Sequence, residues 1–291
     1  MLVIRTVPEL RAAILDQRRS GNSVCLVPTM GLIHAGQLSL VARAREENGC
    51  AVASITVDPT RGESVLRGRS RSEEERDLAL LEREGATIAF IPTHASLFPP
   101  DDLTRVIVAR LTDRLEGASR PGYLDLVTTV IAKLLGIVGP AHLYLGQKDA
   151  QQIVVLRRMF RDLHVNTSLV ICPTVRESDG LAVSSQNASL SIEERHAATC
   201  LYHALEAAQD AWARGERSGE VLRARMTDVI AHERMARPDY ISVADADTLL
   251  TVAADMIERL GEHVTPDVID AEIVGRLREG VELLERRSKP R

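Results

Sequence analysis

The chain has 291 residues, of which 26% are charged and 45% hydrophobic, with a formal net charge of -5 and a pI near 5.9. That length accommodates two domains with a substantial core, in the composition range of ordinary globular proteins. Aromatic residues at 3% and net negative charge argue against a nucleic-acid surface, which needs basic patches and stacking platforms. No apolar run approaches the ~20 residues of a membrane span.

In chain order, Leu2–Ile4 is a short strand, and Thr6 or Val7 leads into a helix starting near Pro8. Proline at the first helical position and apolar Leu10, Ala13 and Ile14 support that assignment. Val24–Val27 is an apolar run of strand length. It breaks at Pro28 and Gly31, and helical spacing resumes from about Gly36 with Leu38, Leu40, Val41 and Ala44. A strand, a glycine-containing turn and a helix N-terminus form an anion cradle. Unpaired backbone N–H groups and the positive end of the helix dipole both favour phosphate there. His34 lies in the turn, and Gly36 lets a ligand approach the backbone closely. Alone, such a histidine is more often a solvated loop residue; the surrounding pattern singles it out.

Ala51–Val57 is a second apolar β run, stopped by Asp58-Pro59, and residues 61–72 form a basic loop. An acidic helix is expected from Ser72 as N-cap, with Glu75 three residues later and Gly85 at its end. A third strand, Ala86–Ile91, ends at Pro92. This alternation implies right-handed crossovers and a parallel sheet. Residues 99–125 are turn-rich around a strand-like Val106–Val108. A helix over Leu126–Ile137, a strand over His142–Leu145, an amphipathic helix over Ala150–Leu163 and a strand over Ser168–Cys172 follow. From Ile192 the chain turns strongly helical, with a strand-like Tyr240–Val243. The expected architecture is therefore an α/β Rossmann-like parallel-sheet domain over residues 1–175 and a smaller, mainly helical α+β domain over 176–291.

Cys25, Cys50, Cys172 and Cys200 lack paired metal-ligand spacing, and three lie in apolar runs, so buried free thiols are expected. The N-terminal apolar run is too short for a signal peptide, and the expected compartment is the cytoplasm. Gly146-Gln147-Lys148-Asp149 lies between a strand and a helix, like the first turn. In an open parallel sheet, ligands sit outside the carboxyl ends of the strands at the switch point. A lysine there reaches a nucleotide phosphate as a compact point charge, although Lys-Asp at a helix start is by itself usually a solvated cap.

Three motifs then occur in order: PTMG with H-x-G and L-S-L from Pro28, G-x-K-D with Gln151-Gln152 downstream, and PTVRE-x-DGLA-x-SS-x-N from Pro173. Over roughly residues 1–250 they resemble the pantothenate synthetase (pantoate–β-alanine ligase) family of the HIGH-type nucleotidyltransferase superfamily. After Val252 the tail does not resemble the family ending and looks like an added amphipathic helix. The resemblance implies an ATP-dependent ligase. An acid carboxylate attacks the α-phosphate of ATP, pyrophosphate leaves, and the acyl adenylate is held for an amine. It implies His34, Gln37 and Lys148 as catalytic positions. ATP is expected at Met30, Gly31, His34, Gly36 and Gln37, and at Gly146, Lys148 and Asp149. Val175, Val183, Ser184, Ser185 and Gln186 complete its expected surroundings. Mg²⁺ is expected on the phosphates, with Asp77 aligned with a family magnesium ligand. The acid and amine are expected at Pro28, Thr29, Met30, Asp58, Arg61, Tyr123 and Gln152. A homodimer is expected on resemblance alone.

Departures from the family pattern fall in the site. The second histidine of H-x-G-H is Gln37, N-P-x-Q becomes Asp58-Pro59-Thr60-Arg61, RPGHF becomes Arg120-Pro121-Gly122-Tyr123-Leu124, and the arginine of SSRN is Gln186. Gln37 and Gln186 keep hydrogen-bonding capacity without charge, and one preorganised donor is commonly worth about 10²–10³ in rate. Arg61 could select an acid with an additional carboxylate, pair with Asp58, or point to solvent. Three functions compete, in this order: a ligase of this type with diverged substrates, a genuine pantothenate synthetase, and a non-catalytic nucleotide-binding paralogue.

Overall fold

The computed structural model describes residues 1–56, 70–245 and 247–250. Expectations for Val57, Asp58, Arg61 and the C-terminal tail lie outside the described residues. Six strands, β1 (Leu2–Ile4), β2 (Val24–Thr29), β3 (Cys50–Ile55), β4 (Ile88–Phe90), β5 (His142–Gly146) and β6 (Ser168–Cys172), make one sheet. Its order is β1-β4-β3-β2-β5-β6, and every pairing is parallel.

The central strands are apolar without alternation, as strands covered on both faces must be: β3 is buried throughout, and β2 is buried except for half-buried Pro28. Alternate residues serve the two faces. Cys25, Val27, Ala51, Ala53 and Ile55 share a core with Leu40, Val41 and Ala44 of helix α2 (Ala35–Glu47) and Leu81 of helix α3 (Arg71–Arg83). Helix α1 (Val7–Arg19), capped by the Thr6 hydroxyl, sends Arg18 to the carbonyl oxygens of Val138 and Gly139, where a cation suits a helix C-terminus.

Several boundaries differ from those expected. α3 starts at Arg71, because the capping box is Ser70 with Glu73 rather than Ser72 with Glu75. Ser70 Oγ accepts from the Glu73 N–H at 3.2 Å, and the Glu73 carboxylate accepts from the Ser70 N–H at 2.8 Å. After the short helices α4 (His94–Leu97) and α5 (Glu116–Ser119), helix α6 covers Tyr123–Val138. It begins three residues before Leu126 because Gly122, at φ 82°, turns the chain into it. Val106–Val108 forms no strand: the Val106 N–H donates to Thr129 Oγ1 at 3.0 Å, and its carbonyl accepts from Thr128 Oγ1. Those side chains of α6 satisfy groups that a ladder would otherwise have to.

The chain divides into two compact units, the first Met1–Gly146 with Val155–Pro173, the second Gln147–Val154 with the chain from Thr174 onward. The second unit contains helices α8 (Ile192–Ala197), α9 (Cys200–Ala213) and α10 (Gly219–Ala231). α9 and α10 pack through Leu201, Ala204, Ala208, Leu222, Met226 and Ile230. Tyr240–Val243 forms no strand either; Ile241 and Val243 both pack on this helical cluster. All four cysteines are buried free thiols, and burial pushes the Cys25 thiol up to about 12 and the Cys200 thiol up to about 11. Such thiols are poor nucleophiles. No helix among the described residues is long and apolar enough to cross a membrane.

At the amino ends of the strands a buried polar network ties α2 to β5. Asn48, just after α2, donates to the Ala44 carbonyl (3.0 Å) and the Tyr144 hydroxyl (2.8 Å), and its Oδ1 faces His142 Nδ1 at 2.8 Å. The Tyr144 hydroxyl in turn donates to Glu47 at 2.6 Å. Truncating one member of such a network strands buried polar groups. Asn48→Ala is therefore expected to lower unfolding free energy by about 1–3 kcal/mol, read as a reduced denaturant midpoint at unchanged m-value.

Candidate active site

The winding of the sheet marks the candidate site. From β2 the chain proceeds to β3 and β4 on one side, and β5 and β6 lie on the other, so β2 and β5 flank the switch point. Their carboxyl ends are adjacent, and ligands of open parallel sheets sit there. β2 runs out into Met30–His34, and β5 ends at Gly146, where a Cβ would meet nothing within 4 Å.

The first turn is held by many partners. Thr29 is buried, with its hydroxyl donating to the Ser54 carbonyl at 2.8 Å and accepting from the Gly31 N–H at 3.4 Å. Thr29, expected at the substrates, thus secures the strand end through its hydroxyl. Met30 is 54% exposed. Gly31 at φ 80° and Leu32 at φ 49° are consecutive left-handed residues, a local strain that the surroundings must hold in place. Ile33 is buried, and its N–H donates to Asp77 Oδ1 at 2.9 Å. Half-buried His34 is the N-cap of α2, where its carbonyl accepts the first helical N–H groups, those of Gln37 and Leu38, at 3.0 Å each.

Gln37 is the N3 residue of α2, and its Oε1 accepts from the His34 backbone N–H at 3.1 Å. This is the returning arm of a capping box. Only the oxygen of an amide accepts, so the Gln37 NH₂ faces away from that backbone group as a neutral donor. The replacement for a histidine therefore has a structural part at the helix N-terminus, which residue type alone did not reveal.

Asp77, expected as a metal ligand, lies on the core-facing side of α3 one turn before buried Leu81. It is 0% exposed and engaged with Ile33. Among the described residues, no group of three or more His, Cys, Asp or Glu side chains is arranged to hold a metal ion. The signal for its structural part was its spacing: i, i+4 with Leu81 puts it on the apolar stripe. Tyr123 opens α6, with the Arg120 guanidinium 3.9 Å from its ring centre, and Arg120 also pairs with Glu116 at 3.0 Å.

In the second unit, Gln147–Asp149 forms one 3₁₀ turn that runs into helix α7 (Ala150–Asp162), with half-buried Gln152 in the first turn of that helix. Desolvation raises the Asp149 carboxyl above its ordinary value, against the pull of Lys148. The Pro173–Ser191 stretch is an ordered loop. Arg176 bridges to Ala182, and the Val183 N–H donates to the Val175 carbonyl at 2.9 Å. Ser184 Oγ accepts from the Gln186 N–H at 3.3 Å and opens a 3₁₀ turn over Ser185–Ser189, while Gln186 itself is exposed. Asn187 Nδ2 reaches Glu177 (3.1 Å) and the Ala182 carbonyl (3.0 Å). Arg195 of α8 pairs with Glu177 at 2.7 Å and Asp179 at 2.9 Å, and holds both carboxyls below their ordinary values. Neither Asn187 nor Arg195 was singled out as a site residue from the sequence.

Comparison with known proteins agrees with this architecture. The family model for pantoate-beta-alanine ligase matches residues 2–268, so the match continues past Val252, after which the tail was expected to depart from the family. The pantothenate synthetase of Roseiflexus castenholzii is 48% identical over 250 residues, 86% of this chain and 89% of that protein. That of Acidobacterium capsulatum is 46% identical over 261 residues, covering 86% and 87%. Among solved structures, pantothenate synthetase from Thermus thermophilus is similar with a TM-score of 0.80 at 40% identity, covering 87% of this chain and 91% of that one. Pantoate-beta-alanine ligase from Francisella tularensis, complexed with beta-gamma ATP and beta-alanine, is similar with a TM-score of 0.69 at 28% identity, covering 84% and 90%.

The second-unit loop depends on one glycine. Gly180 has φ 88°, and a Cβ there would run into the ring of Tyr202, above which the Arg176 guanidinium lies at 5.0 Å. Gly180→Ala combines a strained φ with a clash, so a loss of roughly 1–3 kcal/mol is expected. Thermal unfolding should show it, and proteolysis should cut earliest between residues 174 and 189.

Proposed function

The chain belongs to the pantoate–β-alanine ligase family and is an ATP-dependent ligase; from that premise we propose that it joins pantoate to β-alanine through an acyl adenylate. The observation that carries the reading is the His34 turn, held at the switch point with Gln37 restoring the helix cap. A scaffold that had lost its chemistry would have no need of a strained turn so fully secured. In the proposed reaction a carboxylate oxygen of the acid bonds to the α-phosphorus while the bond to pyrophosphate breaks. The amine then attacks the acyl carbonyl, and AMP leaves with the electron pair as the amine sheds a proton.

Such chemistry asks the protein mainly for positioning and for stabilising charge at phosphorus. The N-terminal N–H groups of α2 supply donors there, and the Gln37 NH₂ supplies a neutral one. Lys148 and Ser185, in the second unit, are proposed as further nucleotide ligands, and Tyr123 and Gln152 as contacts of the acid. When bound, magnesium neutralises charge on the phosphates. The buried, engaged Asp77 does not fit a direct ligand, so the proposal leaves the ion to the nucleotide's own oxygens. We also propose action in the cytoplasm as a homodimer.

A second reading concerns the acid alone. Arg61 replaces a family glutamine, and a guanidinium near the acid would favour a substrate with one more carboxylate.

ATP–pyrophosphate exchange across a panel of carboxylic acids tests both. Exchange that depends on pantoate supports the first reading. Exchange best with a hydroxy diacid, moving to pantoate in Arg61→Gln, supports the second. No acid-dependent exchange contradicts the assignment of chemistry. Lys148→Ala should reduce exchange by at least about 10²-fold with the melting temperature nearly unchanged.

A further inference from the structure

The peptide that joins Ile33 to His34 is gripped at both ends. Its carbonyl accepts from Arg76 Nη2 at 3.3 Å, and its N–H donates to Gln37 Oε1 at 3.1 Å. The preceding peptide, between Leu32 and Ile33, gives its N–H to Asp77 Oδ1 at 2.9 Å. Three side chains thus set two consecutive peptide planes, and two of them are neighbours on α3. Arg76 keeps its side chain 59% exposed, 3.8 Å from Asp77, whereas Asp77 is wholly buried. A carboxylate on the core face of a helix is costly unless hydrogen-bonded. A leucine would serve packing alone. A backbone N–H given to a carboxylate is one of the stronger pairings available to it, and here it is aimed at the residue before the N-cap, immediately after two left-handed residues.

We propose that Asp77 is a positioning residue. By accepting the Ile33 N–H it fixes the Leu32–Ile33 peptide, and through it the place of His34 at the N-terminus of α2, without binding magnesium directly. The proposal rests on the reading of the His34 turn as the phosphate site. What the part requires is an acceptor oxygen, not a charge. Asparagine supplies the same oxygen in nearly the same shape; alanine supplies none.

The test compares Asp77→Asn and Asp77→Ala with the parent. Asp77→Asn should keep kcat within about 5-fold of the parent, whereas Asp77→Ala should lose about 10²-fold in kcat, the scale of a displaced catalytic group, with KM for ATP little changed. The magnesium concentration giving half-maximal rate should be the same in all three proteins. In the nucleotide-free protein, hydrogen exchange of the Ile33 amide followed by NMR should be slow in the parent and Asp77→Asn and fast in Asp77→Ala. The proposal is overturned if Asp77→Asn falls as far as Asp77→Ala, if either variant needs more magnesium, or if Asp77→Ala keeps the parent kcat. If Asp77→Ala does not fold, Asp77→Asn decides by the same kinetic, magnesium and amide criteria. A parent without acid-dependent exchange contradicts the proposed function, and the Ile33 amide then decides this inference on its own: slow exchange in Asp77→Ala overturns it.

Discussion

A parallel sheet wound outward in two directions from its middle can open a crevice only where the winding reverses, because the connections leaving the two central strands depart to opposite sides. In this chain the winding reverses between β2 and β5, the fourth and fifth of the six strands in sheet order. Everything placed at their carboxyl ends shares one edge, and the residues that precede them do not. The constraint comes from chirality and covalent continuity, before any side chain is chosen. It explains why the strand β2 ends in a glycine-containing turn and β5 in a bare glycine, while the opposite edge carries the dense network around Asn48. One edge is closed by buried hydrogen bonds, and the other is the edge at which open parallel sheets take their ligands.

An open edge must still hold its shape. Gly31 and Leu32 occupy the left-handed region in succession, which for leucine costs of order 1–2 kcal/mol. The segment is over-determined by side chains reaching into it. Thr29 secures the strand end, Asp77 and Arg76 secure Ile33, and Gln37 secures His34. None of these bonds is worth more than about 1–3 kcal/mol by itself, but together they leave the turn few alternatives. The loop after Pro173 follows the same logic in the second unit, with Arg195, Asn187 and Tyr202 around Gly180.

Much of this was legible in the residues. Apolar runs without alternation indicate strands buried on both faces, and the glycine-broken passage from Val24 indicates a strand, a turn and the start of α2. Other features were not. Val106–Val108 is β-branched whether its backbone pairs with a strand or with Thr128 and Thr129. The start of α3 was ambiguous because Ser70-x-x-Glu73 and Ser72-x-x-Glu75 fit the same capping pattern. Gln37 reads as a lost charge in sequence, because the box it completes has histidine, not serine or threonine, at its N-cap. Asp77 sat in a run of charge that suggests a solvated face, and only its four-residue spacing from Leu81 marked it as inward. In each case the missing information was a tertiary partner, which residue type and period do not encode.

The central claim is that the edge shared by the ends of β2 and β5 receives the nucleotide phosphates. Amide hydrogen exchange with and without a non-hydrolysable ATP analogue and magnesium measures it directly. Slowing should be greatest in segments covering residues 30–38. Unchanged exchange over 30–38, or the greatest slowing at the opposite edge around residues 48–50 and 140–142, would contradict the account.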